Sequence, residues 1–285
     1  GAFGDEDPDR FDQTMEALRD VTEYSSSEFA VRIYLQKDFR RALKYMRKWS
    51  RDKSYHVRRL ASEGLRPRLP WGRRLKNLIE DPQPALPILE TLRADPELYV
   101  QRSVANHLND IAKDHPERML DLISGWDRSN KHTAWIQKHA CRNLIKAGHP
   151  RALKLFGFGA APRLKSAKLS VAPQRLAIGA ELQLDLRLQS TGATPAAGAK
   201  RQSGAAQNLI IDYQVHYVKK DGSTSAKVFK WKNLTLLPGQ KIQLRKPHSF
   251  AERTTRKHHP GEHKIEVLAN GKLIAAATVR LAGTA

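Results

Sequence analysis

The chain has 285 residues, with 50 Lys+Arg against 29 Asp+Glu, a formal net charge of +21 and a pI of about 10.2. That length suits two domains, and no run of about 18 apolar residues is present to form a membrane-spanning helix. A field of this sign and size concentrates polyanions, so nucleic acid is the expected partner; a membrane surface is disfavoured because no strongly apolar, Lys-rich amphipathic segment accompanies the charge.

From about Phe11 to Leu155 the apolar residues recur at helical spacing, and beyond Pro162 they alternate as in strands. Phe156-Gly157-Phe158-Gly159-Ala160-Ala161-Pro162 supplies the breakers of a linker, which predicts a helical domain over 1–157 and a strand domain over 158–285. The helical part carries +7 and the smaller strand part +14. The single cysteine, Cys141, allows no internal disulfide or Cys-based zinc site and fits inert burial in a reducing cytosol. No basic segment followed by an apolar one opens the chain, so no secretory signal is expected.

Within the helical part, Tyr55-His56-Val57-Arg58-Arg59-Leu60-Ala61, Tyr99-Val100-Gln101-Arg102-Ser103-Val104-Ala105 and Trp135-Ile136-Gln137-Lys138-His139-Ala140 superpose on Val57, Val100 and Ile136, at steps of 43 and 36 residues. A period near 40 predicts stacked helix pairs, a HEAT-like solenoid. In the second repeat Val100, Val104, Leu108 and Ile111 form the core face, and Arg102, Asn106 and Asp110 form the adjoining stripe. The corresponding stripes are Arg59 and Glu63 in the first repeat and Lys138, Arg142 and Lys146 in the third. Equivalent faces of successive repeats line one surface, so a basic groove interrupted by a few acids is expected.

The second part offers seven strands, near 163–171, 180–189, 207–219, 225–232, 240–246, 262–269 and 272–281. Turns are signalled at Lys220-Asp221-Gly222 and Pro238-Gly239, and most strongly at Asn270-Gly271. This number of short strands predicts an immunoglobulin-like β-sandwich, without the Cys and core-Trp signature. Ser190 to Gln207, which carries Lys200 and Arg201, reads as a long loop. A second basic loop runs from Arg253 to His259. His258, His259 and His263 cluster, but no second group stands at metal-ligand spacing, and no metal is expected. No nucleotide-binding glycine motif, P-loop or nucleophile elbow is present.

Three stretches carry a resemblance: Ser27-Glu28-Phe29-Ala30-Val31-Arg32, the run from Val57 to Trp71 that contains Glu63-Gly64-Leu65-Arg66-Pro67-Arg68-Leu69-Pro70-Trp71, and Ser103-Val104-Ala105-Asn106-His107-Leu108-Asn109-Asp110. They resemble the AlkC branch of the AlkC/AlkD alkylpurine DNA glycosylases, and Trp135-Ile136-Gln137-Lys138-His139-Ala140 continues the match. The C-terminal sandwich agrees with AlkC proteins that carry an immunoglobulin-like domain. The family's helical region usually extends further upstream than this chain.

The resemblance implies excision of 3-methyladenine and N3-methylcytosine from double-stranded DNA without extruding the base, by a monomer that needs no cofactor, in a bacterial cytosol. It also implies that Glu28, Glu63 and Asp110 are the catalytic carboxylates and that Trp71 lies at the lesion. An N3-alkylated base already carries a positive charge and leaves neutral, while the sugar gains oxocarbenium character. Carboxylates that stabilise the sugar and orient water suffice, with no general acid. Tryptophan adds an electron-rich face for a cation.

Each residue also has a purely structural reading. Glu28 stands at capping-box spacing from Ser25, Glu63 at ion-pair spacing from Arg59, and Asp110 within reach of Lys113. Trp71 could anchor a repeat junction, and Trp135 could be core rather than a lesion contact beside Asn106. Arg59, Arg66, Arg68, Arg102, Lys138, Arg142, Lys200 and Arg201 are the expected DNA contacts, with Arg73 and Arg74 beside them. The alternative to an enzyme is a noncatalytic HEAT-repeat scaffold that binds DNA or senses damage.

Overall fold

A computed structural model describes residues 8–159, 161–192, 206–252, 254 and 257–283. Compactness divides the chain into two units, Gly1–Leu144 and Ile145–Ala285. The helices are α1 (Pro8–Val21), α2 (Val31–Lys37), α3 (Phe39–Trp49), α4 (Tyr55–Glu63), α5 (Lys76–Glu80), α6 (Leu86–Thr91), α7 (Leu98–Ile111), α8 (Pro116–Ser124), α9 (Lys131–Ala140), α10 (Arg142–Lys146) and α11 (Pro150–Leu155). None of the described helices is long and apolar enough to cross a membrane.

The first unit is a stack of helices in which α7 packs against α4 on one side and α9 on the other. The residues that define the repeat, Val57, Val100 and Ile136, are all fully buried, as are Val104 and Leu108 on the core face of α7. Local signals fix several boundaries. Asp38 accepts from the Arg41 backbone N–H ahead of α3, and Asn130 accepts from those of His132 and Thr133 ahead of α9, each satisfying donors that the first turn leaves unpaired. Proline occupies the first turn of α8, where its missing N–H costs nothing. Cys141 is buried where α9 ends, and burial pushes its thiol up to about 12.

The second unit holds eight strands among the described residues: β1 (Leu164–Ala172), β2 (Arg175–Ala177), β3 (Glu181–Ser190), β4 (Gln207–Val218), β5 (Thr224–Leu236), β6 (Lys241–Ser249), β7 (Gly261–Ala269) and β8 (Lys272–Ala282). They form a sheet ordered β1-β3-β6 and another ordered β2-β8-β7-β4-β5. Leucines 182, 184, 186 and 188 of β3 share one core with Leu209, Ile211, Val215, Ile265 and Val267 of the other sheet, which makes the unit a sandwich. β2 is one more strand than alternation predicts, because three residues pairing in parallel with β8 are too short to show a period of two.

The Asn270-Gly271 signal is realised: both residues have positive φ, 49° and 74°, and the turn joins β7 to β8 with Ala269 opposite Lys272. Gly271 serves a second purpose. Gly148 approaches it so closely that a Cβ on Gly148 would lie 2.7 Å from the Gly271 Cα. The change from helix to strand lies between Leu155 and Leu164, whereas compactness divides the chain earlier, and this approach keeps the segment around α11 with the sandwich.

Candidate active site in the helical unit

The carboxylates singled out in the sequence meet in a buried ionic network. Glu63 closes α4 and is 6% exposed; Asp110 lies in the last turn of α7 and is 3% exposed. Arg66 stands between them, with Nη1 donating to Glu63 Oε1 at 2.7 Å and Nε donating to Asp110 Oδ2 at 2.8 Å. Ser103 Oγ donates to the second oxygen of Glu63 at 2.6 Å, and Lys113 Nζ donates to the second oxygen of Asp110 at 3.0 Å. Every carboxylate oxygen therefore has a fixed donor, which sets the direction of its remaining lone pairs. Burial works against the charge on Arg66, but Glu63 and Asp110 outweigh it and hold the guanidinium above its ordinary value.

His107, one turn from both Ser103 and Asp110, is completely buried. Its Nδ1 lies 3.0 Å from the Ser62 carbonyl and its Nε2 has no partner. Burial, reinforced by the charge of Arg66, pushes its pKa down to about 3. The imidazole is therefore neutral at physiological pH and has no extra proton to give to a leaving group.

Glu28 is the most open of the three acids, with its side chain 13% exposed. It does not form a capping box with Ser25: α2 begins after Ala30 without a side-chain cap. Arg59 claims it instead, with Nη1 2.6 Å from Oε2, while the same guanidinium lies over the Tyr99 ring at 4.9 Å and 3.7 Å from Glu63. The Arg59–Glu63 pairing expected from spacing is thus present but secondary.

The geometry argues against one of the expected DNA contacts, Arg66, and gives another, Arg68, a part-exposed acidic partner. Arg66 is buried between two carboxylates and cannot reach a phosphate from there. Arg68 grips Asp114 with two nitrogens, at 2.9 and 2.7 Å, which also holds the Asp114 carboxyl below its usual range. Sequence separation hid the pairings of Arg66 with Asp110 and of Arg68 with Asp114, 44 and 46 residues apart. In the stripe of the second and third repeats, Arg142 donates to Asn106 Oδ1 at 3.0 Å, whereas Arg102 and Lys138 are exposed. Asp110 ends its stripe turned inward. Trp135 is half-buried and stacks on His139 at 4.7 Å and 11°. Lys200 and Arg201 lie outside the described residues.

Trp71 is fully exposed and has a φ of 58°, a left-handed conformation that a bulky side chain rarely adopts. A tryptophan that anchored a repeat junction would be covered; this one projects from its loop. Sequence reasoning missed Arg32, Ser103 and His107. For the latter two a signal exists: Ser103, His107 and Asp110 recur at helical spacing, a polar row beside the core face of Val100, Val104, Leu108 and Ile111.

A family model described as DNA alkylation repair enzyme matches residues 5–144, and one described as the C-terminal Ig-like domain of the uncharacterised protein YhaZ matches residues 165–283. The solved structure of the Pseudomonas fluorescens alkylpurine DNA glycosylase AlkC, bound to DNA containing an abasic site analog, aligns with a TM-score of 0.88 at 45% identity, over 96% of this chain and 74% of that one. The chain belongs to the AlkC branch of the DNA alkylation repair enzymes. The uncharacterized protein YhaZ of Bacillus subtilis (strain 168) is 40% identical over 263 residues, which is 92% of this chain and 70% of that protein. This AlkC-branch chain thus pairs the helical repeat unit with the Ig-like sandwich, as its resemblance implied.

Proposed function

We propose that this glycosylase hydrolyses the N-glycosidic bond of cationic N3-alkylated bases, 3-methyladenine and N3-methylcytosine, in double-stranded DNA, without extruding the base. The observation that carries the reading is the pair of buried carboxylates, Glu63 and Asp110, oriented around Arg66 beside a neutral histidine. Breaking the bond leaves its electron pair on the base, which departs neutral, and leaves positive charge on the sugar. Fixed negative charge in a water-poor site stabilises that cation without reorganising, the main source of such catalysis. Water then adds to the sugar carbon and gives up its proton, with a carboxylate orienting it. Glu28 is the most open of the three acids and is suited to that second step; Trp71 offers its face to the damaged nucleotide.

Bases that are neutral in DNA need protonation or strong hydrogen bonding to leave, and the neutral His107 supplies neither. The sandwich, with its +14 of charge, adds contacts to the DNA backbone. The test is incubation of the purified protein, without added metal, with duplexes containing 3-methyladenine, N3-methylcytosine or uracil. Release of the two methylated bases but not uracil is the expected result. Binding without release would leave a noncatalytic DNA-binding scaffold, and rapid release of uracil would overturn the charge argument.

A further inference from the structure

The loop that presents Trp71 is held from inside by an arginine from another helix. Arg32, on α2, is 1% exposed, and its described partners are backbone carbonyls. Its Nη1 donates to the Gly64 and Arg66 carbonyls, each at 2.8 Å, and its Nε donates to the Arg73 carbonyl at 2.7 Å, joined there by Nη2. One planar group thus binds the chain where it enters the loop and where it leaves. The loop also closes on itself, with Leu75 N–H donating to the Pro67 carbonyl at 3.2 Å and Gly72 N–H to the Leu69 carbonyl at 3.1 Å. Leu69 and Leu75 point into the core. Trp71 is left fully outside, in a backbone conformation that would relax if either end of the loop were freed.

A buried guanidinium whose hydrogen bonds go to carbonyls, with Glu63 and Asp110 acting on it only through their charge, is an expensive way to build a core. Burial, followed by the charge of Arg66, pushes its pKa down to about 10. A hydrophobic side chain would fill the same space, but it could not satisfy three carbonyls that converge from two ends of one loop. Gly64 completes the seat: a Cβ there would fall 2.7 Å from Val31 Cγ1, so α2 presses directly against the start of the loop.

We infer that Arg32 is a positioning residue, which fixes the loop from Gly64 to Arg73 so that Trp71 is presented in one orientation to the damaged nucleotide. The role in excision rests on the function proposed above, whereas the clamp on Trp71 does not. Both are read with protein labelled with 5-fluorotryptophan, whose Trp71 fluorine line is assigned by its absence from Trp71→Phe. In Arg32→Lys, one nitrogen must serve in place of the fork. The Trp71 line should shift or broaden while those of Trp49, Trp126, Trp135 and Trp231 stay, and the maximal single-turnover excision rate should fall at least about 10-fold.

Placed in a Trp71→Ala background, the same substitution should cost less than about 2-fold further, because the loss is routed through the ring. An insertion of two glycines between Gly72 and Arg73 leaves Arg32 untouched and should reproduce the Trp71 shift, which covers the case in which Arg32→Lys does not fold. An unmoved Trp71 line in the insertion or the folded Arg32 variant, or a full loss of rate that persists without Trp71, would overturn the inference. If the parent protein releases no base while the Trp71 line still moves, the proposed function fails and the clamp stands.

Discussion

The guanidinium of Arg66 reaches across 44 positions of sequence to the carboxylate of Asp110, Nε to Oδ2 at 2.8 Å, and both groups are buried. The same guanidinium holds Glu63, so it is the one cation paired with both anions in a place where water screens little; Lys113 and Arg59 each reach one of them from the side. Removing Arg66 takes the buried counterion from both acids at once.

Arg66→Met should therefore destabilise the helical unit by roughly 3–5 kcal/mol, the range for breaking a buried ion pair on one side. Urea unfolding followed by helical circular dichroism measures it. A loss below about 1 kcal/mol, as for a solvated arginine, would contradict the buried network.

Asp110→Asn and Glu63→Gln each keep hydrogen-bonding capacity beside Arg66 while removing a charge needed most in the transition state. Single-turnover excision should slow by about 100-fold or more, with DNA affinity changing far less. Near-normal rates in both variants would remove these residues from the chemistry.

Trp71 should separate stability from activity. With its ring fully exposed and its φ at 58°, Trp71→Gly relieves left-handed strain and should leave the fold as stable or raise it by up to about 1–2 kcal/mol. Excision should nevertheless fall. A stability loss comparable to that of a core tryptophan would return Trp71 to a structural role.

His107 should give the helical unit an acid-sensitive stability. Its folded pKa, about 3, lies below its ordinary value of 6.5, so between those values the unfolded chain binds the extra proton. Stability contributed by the neutral ring is fully present above pH 6.5 and is lost as pH falls, by about 2 kcal/mol at pH 5. The difference in unfolding free energy between the parent and His107→Phe, followed from pH 7 to pH 5, should change by that amount. A constant difference would mean that the imidazole is not held neutral.

In the sandwich, Lys219, Lys227 and Lys257 line a cavity of about 280 Å³ together with Ser225 and His259. If these lysines meet DNA phosphates, replacing all three with alanine should reduce the slope of log affinity against log salt by roughly 2 to 3, since each lost contact releases about one counterion fewer. An unchanged slope would move the backbone contacts elsewhere.

Whatever depends on neighbours along the chain was legible in the sequence: the repeat on Val57, Val100 and Ile136, the passage from helices to strands, the Asn270-Gly271 hairpin and the carboxylates of the motifs. A helix sets the facing of a side chain within four residues, and a strand within two. The charges are different. With 50 cations and 29 anions in the chain, no local rule says which will meet. Only the stacking of α4 on α7 turned Arg66 from an expected phosphate contact into the counterion of Glu63 and Asp110 and gave Arg68 to Asp114, and only tertiary packing brought α2 to the loop so that Arg32 could hold both its ends. Apart from Arg66 with Glu63, three residues away, those pairings join residues 32 to 46 positions apart, and they form because a buried charge or carbonyl must find a partner wherever tertiary packing supplies one.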